Sequence, residues 1–429
     1  MSMETGFGFV IKHRGPYTEY RERYEMAAAD AWDGGDQMYD EFCSRLPTIV
    51  SDERNLGIAL DYLQTNGGPA PGPDGQRILD IDRMTGWPFV RDLRDLLRSG
   101  TYVRGQLRRC LVEKRPGSAE KRTIWVQDAA DRVVSRGAAQ ILVPLLDPVI
   151  DEHVYSWRRR GTLAALAYAV QQVMTEGRTI WITEDLRNAF DEVPRARLRQ
   201  ILRHYVPNDE FCCLVDHLAA RPSRRGILQG SPLSPPLLDL YLSHLLHRGW
   251  RRAYAHPPLL TYVDDLWIGC RPVDDSVALY RELVAAIRAA GMRPKLGAEW
   301  AITDIRRQAV TWLGYRLRMQ GNRLVIRSAH FAPTSQELQR HKHQLLVAKF
   351  ARLHERFAGW RDANTVIRGI VGYLAPTLPF EDPQRIYDLI AQAAAEAGFR
   401  EIWTFDEVLD WWQAGHERWL DRVAAPQSL

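Results

Sequence analysis

The sequence predicts an α+β chain built as two or three packed lobes. Three observations predict this. The 429 residues are too many for one ordinary core. Three windows, Arg104–Arg122, Leu260–Ile268 and Val310–Leu317, read as strand, turn and return strand. Between them, and from Phe331 onward, apolar residues recur at helical spacing. Hydrophobic residues make up 45 per cent, so disorder is not the expectation. A net charge of +4 means that any polyanion-binding surface must come from local clusters. There is no apolar run long enough to span a membrane, and Met1 to Val10 lacks the features of a signal peptide, so the cytoplasm is expected. Five scattered cysteines, none in a C-x-x-C pair, argue against a disulfide framework and a structural zinc module.

Taken in order, residues 1 to 60 read as helical and mixed in charge. The Gly- and Pro-rich stretch Asn66 to Gly75 must be an irregular loop, and its composition fits a linker. A helix follows with Phe89, Leu93, Leu96 and Leu97 on one face. The segment Arg104 to Arg122 carries seven basic residues against two acids. It reads as a hairpin, with Leu111, Val112, Ile124 and Val126 in its strands and Lys114 to Arg122 at its tip. Two strands that each present a cation can clamp a polyphosphate; a solvated loop is the alternative. Residues 128 to 150 and 161 to 176 read as helices, with Arg158-Arg159-Arg160 between them as a cationic patch.

Thr179 to Asp185 is a β-branched and aromatic strand that ends on an acid, and a helix starts near Pro194. An acid at the end of a core strand is well placed to hold a metal, whereas Asp191 reads as a local cap or surface charge. Ile227 to Pro236 leads into an apolar helix over Leu237 to Leu246. There Gly230 permits close backbone approach and Gln229 can bond a ligand, unless the stretch is a plain loop-to-helix junction.

The stretch Leu260 to Ile268 organises the chain. It sets Asp264 and Asp265 side by side in an apolar, β-prone run. Burying two like charges is costly unless a cation neutralises them, and hard divalent ions such as Mg²⁺ seek such oxygens. An ordinary Asp-rich turn is the alternative reading. A helix over Val277 to Ala290 stops at Gly291, and Val310 to Leu317 forms another strand pair. Thr334 and Glu337 make a capping box. Leu346, Phe350, Leu353 and Phe357 form an apolar stripe, and Lys342, Lys349 and Arg356 a cationic one, which most often means a solvated face.

Together these residues resemble the reverse transcriptases, in particular their bacterial group II intron-like branch. The likeness covers roughly residues 60 to 375, in order. Tyr262-Val263-Asp264-Asp265 is similar to the Y-x-D-D box, and Asp185 through Phe190 to the first palm motif. Gln229 to Pro235 resembles Q-G-x-P-x-S-P, and Trp312-Leu313-Gly314-Tyr315 the primer-grip turn. Pro71 to Gly75 resembles the N-terminal loop of that lineage, and Asn364 through Tyr373 its thumb helix.

The resemblance implies a right-hand polymerase: an N-terminal helical extension over 1–60, fingers over 61–178, a palm with an antiparallel sheet over 179–325, and a helical thumb and C-terminal region over 326–429. It implies catalytic Asp185, Asp264 and Asp265, two Mg²⁺ ions on these acids and the Leu186 carbonyl, and a nucleotide site of Lys114, Arg122, Ala189, Phe190, Gln229 and Gly230. Phe190 would exclude a 2′-hydroxyl. Leu313, Gly314, Lys342, Lys349 and Arg356 would contact nucleic acid. The implied partners are an RNA template, a DNA primer or product, and deoxynucleotides.

Two positions depart from the family: Asp239 stands where Asn is usual, and Arg158-Arg159-Arg160 replaces an Arg-Pro-Gly loop. No Cys- and His-rich endonuclease segment is seen after the thumb. The expectation is therefore a stand-alone enzyme that copies a structured noncoding RNA in antiphage defence. Three other readings stay open: a mobile-element enzyme, template-independent or protein-primed synthesis, and a non-catalytic RNA-binding protein on a polymerase fold. The sequence leaves the oligomeric state undetermined.

Overall fold

The computed structural model describes residues 16–68, 70–113, 120–253, 257–331, 336–351, 353 and 363–425. Lys114, Arg356, Phe357 and the Thr334 half of the capping box lie outside them. The chain opens with helices α1 (Pro16–Asp33), α2 (Asp36–Ser44), α3 (Leu46–Val50) and α4 (Glu53–Asn66). Asp52 starts α4 by accepting the Arg54 amide at 2.7 Å. Asp82 caps α5 (Arg83–Arg98) with two amide bonds of 2.8 Å. Gly86, Val90 and Leu93 are the buried face of α5, with Phe89 and Leu97 half-buried. Leu96 is 42 % exposed, because the 86–90–93–97 spacing turns it outward.

The stretch before α5 is not a free linker. A tight turn at Gly72–Gln76 closes it, the Asp74 amide donates to Asp128 at 3.0 Å, and Arg132 donates to the Ala70 carbonyl at 2.7 Å.

Strands β1 (Leu107–Glu113) and β2 (Lys121–Gln127) pair antiparallel as the expected hairpin. Helix α6 (Ala129–Leu146) follows and is buried on nearly every side. It meets α4 closely, since a Cβ on Gly137 would lie 3.1 Å from Asn55 Nδ2 and 3.3 Å from a Leu56 methyl carbon. The N-terminal helices thus share one core with the centre of the molecule, and no break in that core marks residue 60. Nor is Arg158–Arg160 an open cationic patch. Arg158 pairs with Asp147 and Glu25, Arg159 with Glu25, and Arg160 donates to the Val154 carbonyl at 2.8 Å.

Helix α7 (Thr162–Glu176) leads into strand β3 (Ile180–Asp185), followed by α8 (Ala189–Glu192), α9 (Arg195–Tyr205), α10 (Asp209–Ala219) and α11 (Ser234–Leu242). A π-helical turn at Ser243–His247 joins α11 to α12 (Arg248–Ala253). Then come β4 (Leu259–Tyr262), β5 (Asp265–Cys270), α13 (Ser276–Ala289), α14 (Ala298–Ala301) and β6 (Ile302–Asp304). The central sheet has the order β4-β5-β3-β6, all antiparallel. Period-2 alternation sends Ile182, Leu266 and Ile268 to the main helical core. It sends Trp181, Leu260 and Trp267 to a second core shared with α7.

The second core is closed by the sheet of β7 (Val310–Trp312), β8 (Tyr315–Gln320) and β9 (Arg323–Ser328). Trp312 packs 5.8 Å from Trp181 and 6.0 Å from Trp267, between ring centroids. A palm limit at residue 325 would cut β9. A third core joins α15 (Gln336–Ala351), α16 (Ala363–Leu374), α17 (Pro383–Glu396) and α18 (Phe405–Ala424). Among the described residues no helix is long and apolar enough to cross a membrane.

Candidate active site

The two adjacent acids sit at the β4–β5 turn, where Tyr262 pairs with Asp265. Val263 adopts φ 57°, a left-handed conformation that strains a β-branched residue by about 1–3 kcal/mol. The surrounding structure holds this turn. The Leu186 amide donates to the Asp264 carbonyl at 2.9 Å, the Tyr155 amide to the Thr261 carbonyl at 2.8 Å, and the Thr261 amide to the His153 carbonyl at 3.0 Å. Behind the strand the fully buried His247 ring meets the Thr261 hydroxyl at 2.9 Å and lies 3.4 Å from Asp151.

Asp185 ends β3 directly opposite Asp265 in the strand register. The three acids therefore share one charged neighbourhood. Burial, then the Asp185 charge, pushes Asp264 up to about 6. Burial, then the Asp264 and Asp185 charges, pushes Asp265 up to about 7. The charges of Lys295 and, for Asp264, Arg122 offset this only in part, and hard carboxylate oxygens are the donors a divalent hard cation prefers. Among the described residues no three His, Cys, Asp or Glu side chains are already gathered as ligands. The Lys295 ammonium pairs with the Asp185 carboxylate instead. Burial opposes the charge of Lys295, but the contact with Asp185 outweighs it and holds the ammonium above the usual lysine range.

The basic hairpin faces this site. Arg122 pairs with Val112 in the β1–β2 register, its charge reaches Asp264, and its Nε is buried without a hydrogen-bond partner. The Gln229–Gly230 loop docks on the same hairpin: the Trp125 amide donates to the Gln229 carbonyl at 3.1 Å. Gly230 has φ 112°, and a Cβ there would lie 3.0 Å from an Ile124 methyl carbon. The Ile227 amide donates to the Phe190 carbonyl at 2.8 Å, which brings the half-buried Phe190 beside that loop. The Ala189 methyl lies in the main core, and Asp191 pairs with Arg221.

Residues 112–317, from the end of β1 into β8, match the family model described as reverse transcriptase, RNA-dependent DNA polymerase. The chain carries a reverse transcriptase domain. The protein is accordingly an RNA-directed DNA polymerase, a nucleotidyltransferase with a right-hand fold. Reverse transcriptases in general use divalent metal ions, an RNA template, a DNA primer and deoxynucleotides. No curated protein matches the chain.

The Leu313–Gly314 turn, with φ 47° and 84°, joins β7 to β8 as a two-residue hairpin. Leu313 and Val263 both pack against the second core. The Tyr373 hydroxyl donates to the Leu313 carbonyl at 3.2 Å, and a Cβ on Gly314 would collide with that hydroxyl. Lys342 is not a free surface cation, since its ammonium donates to the Ala329 carbonyl at 3.1 Å and burial lowers its pKa. Lys349 is half-buried.

Two site residues escape the sequence reading. One is Lys295, which follows Asp185 by 110 positions and sits in no recognisable pattern. The other is Glu184, only 2 % exposed, which accepts the amides of Asp185, Lys295 and Leu296 at 2.9, 3.0 and 2.9 Å and the Tyr280 hydroxyl at 2.8 Å. An acid inside an apolar strand, next to the strand-ending Asp185, was the available signal, because a buried carboxylate must find donors.

Proposed function

We propose that the enzyme copies RNA into DNA at the Asp185–Asp264–Asp265 centre, with two Mg²⁺ ions held by these carboxylates and the Leu186 carbonyl. The observation that carries this reading is the meeting of three acids at one strand end, Asp185 opposite Asp265 in register and Asp264 beside it, where burial and mutual repulsion push two of them up to about 6 and 7. When bound, the ions would stabilise the attacking 3′-hydroxyl and the leaving pyrophosphate. Arg122 and Lys295 supply the cationic rim that a triphosphate needs, and the resemblance adds Lys114 to it. Gln229 and Gly230, docked on the same hairpin, line the nucleotide site beside it. Phe190 presents its ring to the sugar edge and leaves no room for a 2′-hydroxyl. The Leu313–Gly314 turn, packed on the core that also holds Val263, supports the primer end.

We propose further that the template is a structured partner RNA and that the DNA serves antiphage defence, as the resemblance to stand-alone bacterial enzymes implies. One variant tests both levels. Asp264→Ala with Asp265→Ala should abolish deoxynucleotide incorporation while the metal-free protein melts no earlier than wild type, because two poorly compensated buried charges are removed. Undiminished incorporation would sink the metal-site reading. Equal phage plating by cells carrying the wild-type or variant locus, across a broad panel, would sink the defence reading alone.

A further inference from the structure

Away from the active site, α9 and the π-helical turn enclose an open cleft of about 350 Å³ lined by Arg197, Gln200, Ile201, His204, His244 and Leu245. None of these residues belongs to the polymerase centre. The π-turn carries one more residue than an α-turn would. His244, on that turn, lines the cleft, and its Nδ1 meets the Tyr205 hydroxyl at 2.7 Å. Arg248 opens α12 and lies 5.3 Å from the centre of the Tyr205 ring. Arg197 is anchored by the Ala289 carbonyl at 3.0 Å.

The charges around this cleft are of one sign. Burial, then Arg248, His204, Arg197 and Arg252, holds the His244 imidazole below its ordinary range. Elsewhere on α9 the guanidiniums are matched: Arg195 and Arg199 to Asp216, and Arg203 to Asp209. Among the described residues no carboxylate lies within ion-pair distance of Arg197, Arg248 or Arg252. Three guanidiniums within reach of one imidazole and without an acid repel one another, and a phosphate oxygen relieves that repulsion while accepting their donors.

We propose that this cleft holds the sugar–phosphate backbone of a nucleic-acid strand that lies outside the primer–template path. Two features favour a strand over a small anion. Sites for small ligands are enclosed and mostly apolar, whereas this one is open and cationic. Its positive surface also continues past the cleft along the exposed Arg248 and Arg252 of α12. RNA and single-stranded DNA share the chemistry recognised here. The inference rests on the polymerase reading only in so far as the protein handles nucleic acid.

The test replaces Arg197, Arg248 and Arg252 together by Gln, with the triple Lys variant beside it. All three arginines are exposed, and melting curves control for folding. The probes are a structured RNA transcript, single-stranded DNA of the same sequence, and a short annealed primer–template. The Gln variant should lose about two to three units of the log-affinity against log-salt slope on a long probe. It should bind that probe at least tenfold more weakly at about 0.15 M salt. The Lys variant should keep the slope, and incorporation on the short primer–template should stay at the wild-type rate. Loss on RNA alone, on DNA alone or on both identifies the strand. Unchanged slopes on both long probes would overturn the proposal. So would an equal loss on the short duplex, or displacement of the long probes by dilute inorganic phosphate. An inactive wild-type enzyme on the short duplex would instead count against the polymerase reading and leave the binding result to stand by itself.

Discussion

At the residue scale, two positions give sharp expectations. Asp239 is fully buried on α11, accepts the Ser156 hydroxyl at 2.7 Å, and is pushed by burial from 3.8 up to about 7 against the weaker pull of Ser156 and Arg160. Between roughly pH 4 and 7 the folded protein keeps this proton and the unfolded chain does not, so stability falls as pH rises through that window and levels off above it. Asp239→Asn removes the titration and can still accept from Ser156. The variant should match wild type near pH 4 and exceed it by a few kcal/mol above pH 7, read from denaturant midpoints at each pH. A constant difference across pH would show that the carboxyl is not the source. The resemblance expects Asn at this position, and the half-buried Ser156 partner explains how Asp is tolerated there. The second position is Phe190. Phe190→Ala should lower the ratio of kcat/KM for a deoxynucleotide over its ribonucleotide while DNA synthesis continues, and an unchanged ratio would assign sugar discrimination to another group.

At the scale of elements, the hairpins were legible because their signals are local. Alternation and turn residues near Asp264 and Gly314 fall within a few positions of one another. The segment Arg293–Leu296 was not legible. It lies along the end of β3 through the Arg187 amide to the Arg293 carbonyl at 2.8 Å and the Lys295 amide to the Asp185 carbonyl at 3.0 Å, and neither stretch announces a partner so far away. Glu184 ties the two together. Glu184→Ala would leave the Asp185 and Leu296 amides without their acceptor, each costing about 1–3 kcal/mol, while the Lys295 amide keeps the Asp185 carbonyl. It should lower both Tm and kcat. Glu184→Gln can keep its oxygen on the amides and turn its NH₂ toward the Tyr280 oxygen, so it should be mild in both. If Gln proves as damaging as Ala, the negative charge itself is required, and the account of Glu184 as a positioning group is wrong.

At the scale of the molecule, the three cores are joined in ways that a division of the sequence into lobes does not convey. The N-terminal helices belong to the main core because the apolar faces of α1, α3 and α4 have α6 to cover. The last helix, α18, begins in the third core with Val408 and Trp412, whose indole donates to the Leu374 carbonyl at 2.8 Å. It ends in the second core, where Trp419 is buried and the Gln171 amide of α7 donates to the Ala425 carbonyl at 2.8 Å. One helix therefore links the third core to the layer beneath strands β3, β4 and β5. On the proposal that the third core is the thumb, its angle to the palm must hold as the primer advances, and α18 is the element placed to hold it. Trp419→Ala removes the far anchor and leaves the near one, at a cost of about 3–5 kcal/mol. The expected phenotype is a lower Tm, with single-nucleotide addition nearly intact but shorter products per binding event when a trap prevents rebinding. Full-length products under the trap, in a protein shown to melt earlier, would mean that α18 stabilises the fold without setting the thumb.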